Sequence, residues 1–204
     1  FVLLATNQFV HHAFGWAVSD TVQGFIIQLP FVLQLFLIIL VADLMQYFVH
    51  RAYHEVPLLW RFHAVHHSAK EMDWLAGSRQ HILEILVTRS LVLTPIFVLG
   101  FPSDVISLYV IIVGFQAVFN HANVRVKFGW LKYLLVTPQF HHWHHSSDKA
   151  AIDRNYAAHF SFLDYLFGTA VKGQAEWPDK YGVVGDYMPE GMLKQQVFPF
   201  KKQK

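Results

Sequence analysis

The chain has 204 residues, 54% of them hydrophobic and only 15% charged, with a formal net charge of +2. Its mean hydropathy is positive, whereas a soluble domain carries about 25% charged residues, so a one-domain membrane protein is expected. The small net charge argues against a nucleic-acid binder. The absence of cysteine removes disulfides, thiolate zinc sites and cysteine-ligated iron–sulfur clusters.

The chain begins in mid-hydrophobic sequence without an initiator Met, as a fragment lacking its N-terminal part would. Phe1–Val18 is apolar but holds Asn7, Gln8, His11 and His12, and suggests the end of a span or an interfacial helix. Phe25–Val41 is almost wholly apolar; with its flanks it is long enough to cross a bilayer. Asp43, Gln46, Tyr47 and His50 follow at helical spacing, so the same helix is expected to leave the lipid carrying His50 and His54. Ile82–Leu99, interrupted by Glu84, Arg89 and Pro95, and Val105–Phe119 are two further spans. The turn Gly100–Asp104 joins them into a hairpin, with Ser103 as a candidate N-cap. No convincing span follows His121. From Lys172 the chain turns polar, and Pro178, Gly182, Gly185, Pro189 and Gly191 mark residues 172–204 as a loop-rich cytosolic tail. The whole, 1–204, is expected to be one all-α integral membrane bundle with its motif core over 43–169. The hairpin turn has no Lys or Arg, whereas Arg51, Arg61, Lys70, Arg79, Arg125, Lys127 and Lys132 lie on the other side. The positive-inside rule therefore makes the histidine side cytosol-facing.

Nine of the 14 histidines crowd into two windows, 50–67 and 141–145. Imidazole is the commonest protein metal ligand. His50 and His54 are an i, i+4 pair. His63, His66 and His67 form an i, i+3, i+4 set, as do His141, His144 and His145, so each set is expected to point one way from a helix. Metal-buffering tracts and tags are continuous and polar; these rings are phased and interleaved with Trp60, Phe62, Val65, Phe140 and Trp143. One ion takes roughly four to six ligands, so eight imidazoles predict two ions. The ligand set is then His50, His54, His63, His66, His67, His141, His144 and His145. His142 is out of phase by about 100° and is excluded. His81 and His121 fall at the same membrane depth as His50, which makes them candidate extra ligands or neighbours of the ligands. His159, four residues after Asn155, is another. The carboxylates nearby, Glu55, Glu71, Asp73, Glu84, Asp148 and Asp153, repeat at no ligand spacing and suit hydrogen bonds that fix imidazole tautomers.

The three boxes, H-x-x-x-H at His50–His54 and H-x-x-H-H at His63–His67 and His141–His145, resemble the fatty acid hydroxylase superfamily, also called the sterol desaturase family. Thr137-Pro138 before the late box resembles the family pattern as well. So do Asn155-Tyr156 and Leu166-Phe167-Gly168-Thr169 after it, and Asn120-His121-Ala122-Asn123 in mid-chain. The resemblance covers Asp43 to Thr169. It implies a membrane oxidoreductase with a cytosol-facing dimetal centre, normally two irons, for which zinc can substitute in a purified sample. It also implies a lipid substrate (sterol, fatty acyl or alkylglycerol), oxygen, and electrons from a reductase or small redox carrier. Some branches have a further H-x-x-x-H near His121; here the position four earlier is Ala117.

The expected activity is hydroxylation or desaturation of a lipid. A membrane metal transporter would place its ligands at the bilayer midplane and show repeat symmetry, neither of which this sequence has. A zinc-dependent lipid hydrolase needs three protein ligands and a general base, and eight imidazoles exceed that need.

Overall fold

The computed structural model describes residues 8, 12–173, 176–185 and 187–201. Most of Phe1–Val18, where a span or interfacial helix is expected, lies outside the described residues; of the part described, Gly15–Ala17 forms a short 3-10 helix. Eight helices build the described fold: α1 Asp20–Gln28, α2 Phe31–Glu55, α3 Pro57–His67, α4 Ile82–Leu99, α5 Ser103–His121, α6 Pro138–His144, α7 Phe162–Leu166 and α8 Met192–Val197. No strand occurs among the described residues. Three helices, α2, α4 and α5, are long and apolar enough to cross a membrane.

The first span begins later than hydropathy alone suggests. Phe25–Gln28 belongs to α1, and the chain breaks at Leu29-Pro30 before α2 starts. Proline has no N–H to continue a helix, and the residue before it is pushed out of helical geometry. The last carbonyls of α1 would then be orphaned in lipid. The two N–H groups of the Gln34 amide are shared among Ile26 O, Ile27 O and Leu29 O at 3.1, 3.0 and 2.9 Å, and Leu29 N also donates to Ile26 O. Pro95, by contrast, sits within α4 without ending it, at the cost of the one helical bond that its missing N–H would have made.

α2 is the central mast: α3, α4 and α5 all pack on it. Where the hairpin turns, Ile38 and Ala42 of α2 meet Ile96 and Phe97 of α4 and Val105, Ile106 and Tyr109 of α5 in one buried cluster. Gly100 ends α4 in the left-handed region at φ 73°, and a Cβ there would lie 2.6 Å from Gln23 Cγ, so glycine is required. From that shared end α4 and α5 diverge; each packs on α2 and hardly on the other. Phe36, Phe48, Leu86, Leu91, Ile111 and Phe115 are exposed on the outer surface, an apolar girdle suited to lipid.

At the opposite end, buried acids fasten the loops. Asp43 on α2 accepts backbone N–H bonds from Ala158, His159 and Phe160 at 2.8, 3.1 and 2.6 Å. Asp164 does the same for Tyr156 and Ala157 and accepts from Thr169 Oγ1. In a bilayer apolar burial drives helix association little, and polar contacts average about 0.6 kcal/mol each. What these clusters supply is therefore position as much as stability. The residues after Lys172 return over this end, where Gln196 O accepts from His81 Nε2.

Candidate metal centre

Four helices bring their ends to one place. α2 carries His50 and His54 to its last turns, and Pro57 opens α3 after a single intervening residue. α5 ends on His121. Thr137 caps α6 through its hydroxyl, which accepts from Phe140 N at 3.2 Å, and Pro138 occupies the first turn, a helix start written into the sequence.

Nine imidazoles converge in two groups that could each hold a metal ion. His50, His54, His63, His67 and His144 form one; His66, His121, His141 and His145 form the other; within each group the ligand atoms lie within 4.8 Å of one another. The two groups touch: the rings of His67 and His145 stack with centroids 4.3 Å apart. Here the structure corrects the expectation that each set points one way. His63 and His67 turn to the first group and His66 to the second, whereas His141 and His145 turn to the second and His144 to the first. Position i+3 lies about 60° to one side of i and i+4 about 40° to the other. When two groups adjoin, that difference assigns them to different centres.

The ring nitrogens are sorted. Nδ1 of His50, His66, His121 and His144 bonds the carbonyls of Tyr156, Arg79, Ala117 and Arg154 at 2.7, 3.1, 2.7 and 2.7 Å. A carbonyl only accepts, so each Nδ1 carries the proton and each Nε2 presents a lone pair. His63 Nδ1 lies 2.6 Å from Glu84 Oε1 and His54 Nδ1 3.3 Å from Asp153 Oδ1. The Nε2 atoms meet each other: His50 with His63 at 3.0 Å, His67 with His144 at 3.0 Å, His121 with His66 at 3.3 Å and with His141 at 3.0 Å. His66 and His121 thus aim two lone pairs at one another. A proton shared between rings would remove the repulsion, but burial holds His63, His66, His67, His141, His144 and His145 well below 6.5, with neighbouring imidazoles adding to the effect. A bound cation removes it instead. The buried, unpartnered Nε2 of His54 fits the same conclusion: this donor set suits a metal.

The remaining candidates separate clearly. His81 joins neither group: its Nδ1 accepts from Leu83 N and caps α4, and its Nε2 is taken by Gln196 O. His159 bonds Gln116 and lines a cavity beside the centre. Asn155 sits at φ 58°, donates to Phe140 O and accepts from Val171 N, so its amide is consumed in holding the loop that supplies the carbonyls of Arg154 and Tyr156. Asp148 is exposed and caps Ala150 N. His142 donates from Nε2 to the carbonyls of His121 and Ala122 and meets Tyr181 OH at Nδ1. Burial pushes it down to about 4. It ties α6 to the end of α5 without reaching either group. Two features escape sequence reasoning: the row of backbone carbonyls behind the rings, and Gly77, where a Cβ would lie 3.0 Å from His121 Nδ1. A residue name carries no signal for a carbonyl; the positive φ of Asn155 marks the loop that provides two of them.

Two openings reach the centre. One cavity runs from His50, His63, His66, His121 and His141 along α2, α4 and α5 to Val92 and Tyr109, where the buried cluster at the turn closes it. A lipid could in principle enter between the first span, α2, and the last, α5. Those two helices pack together, and the exposed lining residues Ile85, Arg89 and Ala117 place the mouth between α4 and α5. The other opening, lined by Trp60, Asp153 and Tyr187, reaches His54, His67 and His144.

The sequence profile of the family described as fatty acid hydroxylase matches residues 35–169. The chain is 31% identical to ornithine lipid hydroxylase OlsE of Rhizobium tropici over 86% of its own length and 53% of that protein. It is 32% identical to the alkylglycerol monooxygenase of Homo sapiens over 63% of its length and 28% of that protein. It is 28% identical to very-long-chain aldehyde decarbonylase GL1-7 of Oryza sativa subsp. japonica over 68% of its length and 25% of that protein. The chain thus spans about half of the first of these relatives and about a quarter of the others. No solved structure matches.

Proposed function

From the chain's membership of the fatty acid hydroxylase family, we propose that it is a membrane-bound, two-iron lipid hydroxylase or monooxygenase that consumes oxygen. The observation that carries this reading is the convergence of nine histidines in two adjoining groups at the end of a cavity that opens between apolar spans. One iron would be held by His50, His54, His63, His67 and His144, the other by His66, His121, His141 and His145. When bound, the irons supply the activation of oxygen that an inert C–H bond requires.

The chain's own part is positioning and exclusion. Carbonyls and carboxylates hold protons on Nδ1 so that each Nε2 stays free to bind. The apolar wall of Val92, Val113 and Ala117 excludes water from a lipid chain laid against the rings. The second opening, beside His54 and His144, is a separate route for polar reactants. We place the histidine end in the cytosol, on the charge asymmetry of the sequence, where a reductase or small redox carrier would deliver electrons. We treat 1–204 as one domain, with 172–204 covering the centre. A transporter or hydrolase finds no support among the relatives, whose names are oxygenases and a decarbonylase.

The test is lipid mass spectrometry of cells expressing the full-length gene, with iron counted in the purified protein. Products heavier by one oxygen and two irons per chain are expected. An unchanged lipid profile alongside full iron loading sinks the reading.

A further inference from the structure

α2 and α4 each carry one arginine, and α5 carries no lysine or arginine. Arg51 at the polar end of α2 is spoken for, paired with Glu55 at 2.7 Å. Arg89 lies seven residues into α4, about 10 Å along a spanning helix, and no carboxylate pairs with it among the described residues. Asp43, the buried acid of α2, already accepts from three backbone N–H groups. An unpaired charge in a span is costly and marks a functional site by default. The position of Arg89 gives that function a direction. It lines the cavity that ends on the histidines, and it is exposed at the mouth between α4 and α5. Glu84, five residues away and so about 7.5 Å along the same helix, touches His63. A guanidinium there has donors in a planar fork that matches a carboxylate or a phosphate.

We propose that Arg89 is a specificity-determining residue that recognises the anionic headgroup of the lipid entering between α4 and α5, so that this protein selects lipids bearing a carboxylate or phosphate over neutral ones. The proposal rests on the lipid oxygenase reading only in taking the cavity as the substrate's; its test involves no oxygen chemistry. Zinc-loaded protein, which cannot turn over, is placed in nanodiscs of phosphatidylcholine with fluorescent cis-parinaric acid bound. The probe is displaced by palmitic acid, by palmitoyl lysophosphatidic acid and by hexadecanol, at a pH that ionises the acid. One or both anions should displace the probe at concentrations about tenfold below hexadecanol, as one charge-assisted contact implies. The better of the two identifies the carboxylate or the phosphate as the preferred group. Because parinaric acid is itself a carboxylate, its own affinity is measured on each variant and the displacements are converted to competitor affinities. Arg89→Gln should weaken the probe, erase the preference for the anions and leave the affinity for hexadecanol unchanged, and Arg89→Lys should keep part of the preference. Ile85→Trp, which narrows the mouth, should weaken all three. The proposal is overturned if wild-type protein takes hexadecanol as readily as the anions, which would mean that Arg89 merely reaches the bilayer's own phosphates. It is overturned equally if Arg89→Gln keeps the preference, or if Ile85→Trp leaves displacement untouched. A failure of lipid oxidation with this binding intact would count against the oxygenase reading alone.

Discussion

The five-histidine group and the four-histidine group differ less in their rings than in what stands behind them. Behind the first lie two carboxylates, Glu84 on His63 and Asp153 on His54, and two carbonyls. Behind the second lie only carbonyls, on His66 and His121, while Nδ1 of His141 and of His145 is buried without a partner. A carboxylate behind an imidazole raises its basicity as a ligand and offsets cationic charge. A nearly symmetric sequence pattern thus builds two unequal groups, the first with more imidazoles and with two carboxylates behind them.

The sharpest way to break this comparison lies within the late box. His144 turns to the first group, and His142 turns away from both. His144→Ala should strip the metal from the first group and abolish product, while His142→Ala keeps its metal and part of its activity. Metal per protein and lipid product are measured for both variants, purified alike; equal losses would dissolve the assignment. Next is a timed chelator challenge. Metal should leave in two phases, with the four-histidine group emptying first, and His121→Ala should delete the fast phase alone. A single phase would make the centres equivalent.

Glu84→Gln tests the carboxylate directly. Loss of such a partner typically costs about 10–100-fold in metal affinity or activity, and it should fall on the slow phase only. Gly77→Ala is gentler: its Cβ must push the His121 ring by a few tenths of an ångström, and a few-fold faster loss from the second group should result. An unchanged fast phase would show that the ring gives way freely.

The smallest effect is one of pH. Burial pushes His142 from 6.5 down to about 4. Between those values the unfolded chain binds the proton that the folded chain refuses, so stability rises with pH across that window and is lost on acidification below about 6.5. Replacing His142 by Gln should make the rise of melting temperature with pH less steep by one proton's share over this range, the other buried imidazoles keeping the rest. An unaltered slope would mean that the ring is not held neutral.

Much of this was legible along the chain because it is local. Hydrophobic runs of span length announced three helices, and i, i+3, i+4 spacing marked the rings that converge, though not that each set would divide between two groups. Thr137-Pro138, noted there only as part of the family pattern, is also where α6 starts. The break at Leu29-Pro30 was marked by the proline and missed only because the flanking residues are equally apolar. His81 shows where local reasoning stops: it shares the depth of His121, yet one ring caps its own helix and the other completes a metal group.

By itself, then, the sequence determined the class of fold, the chemistry of the donors and their phase on each helix. Those follow from residue type and from the 3.6-residue turn, which hold wherever a helix lies. Only the tertiary structure decided which ring joins which group, that His121 joins one of them as the ninth imidazole, and that the cavity opens between α4 and α5. Those depend on how helices distant in sequence cross. A rotation of about 100° between neighbouring positions means nothing until a second helix stands opposite.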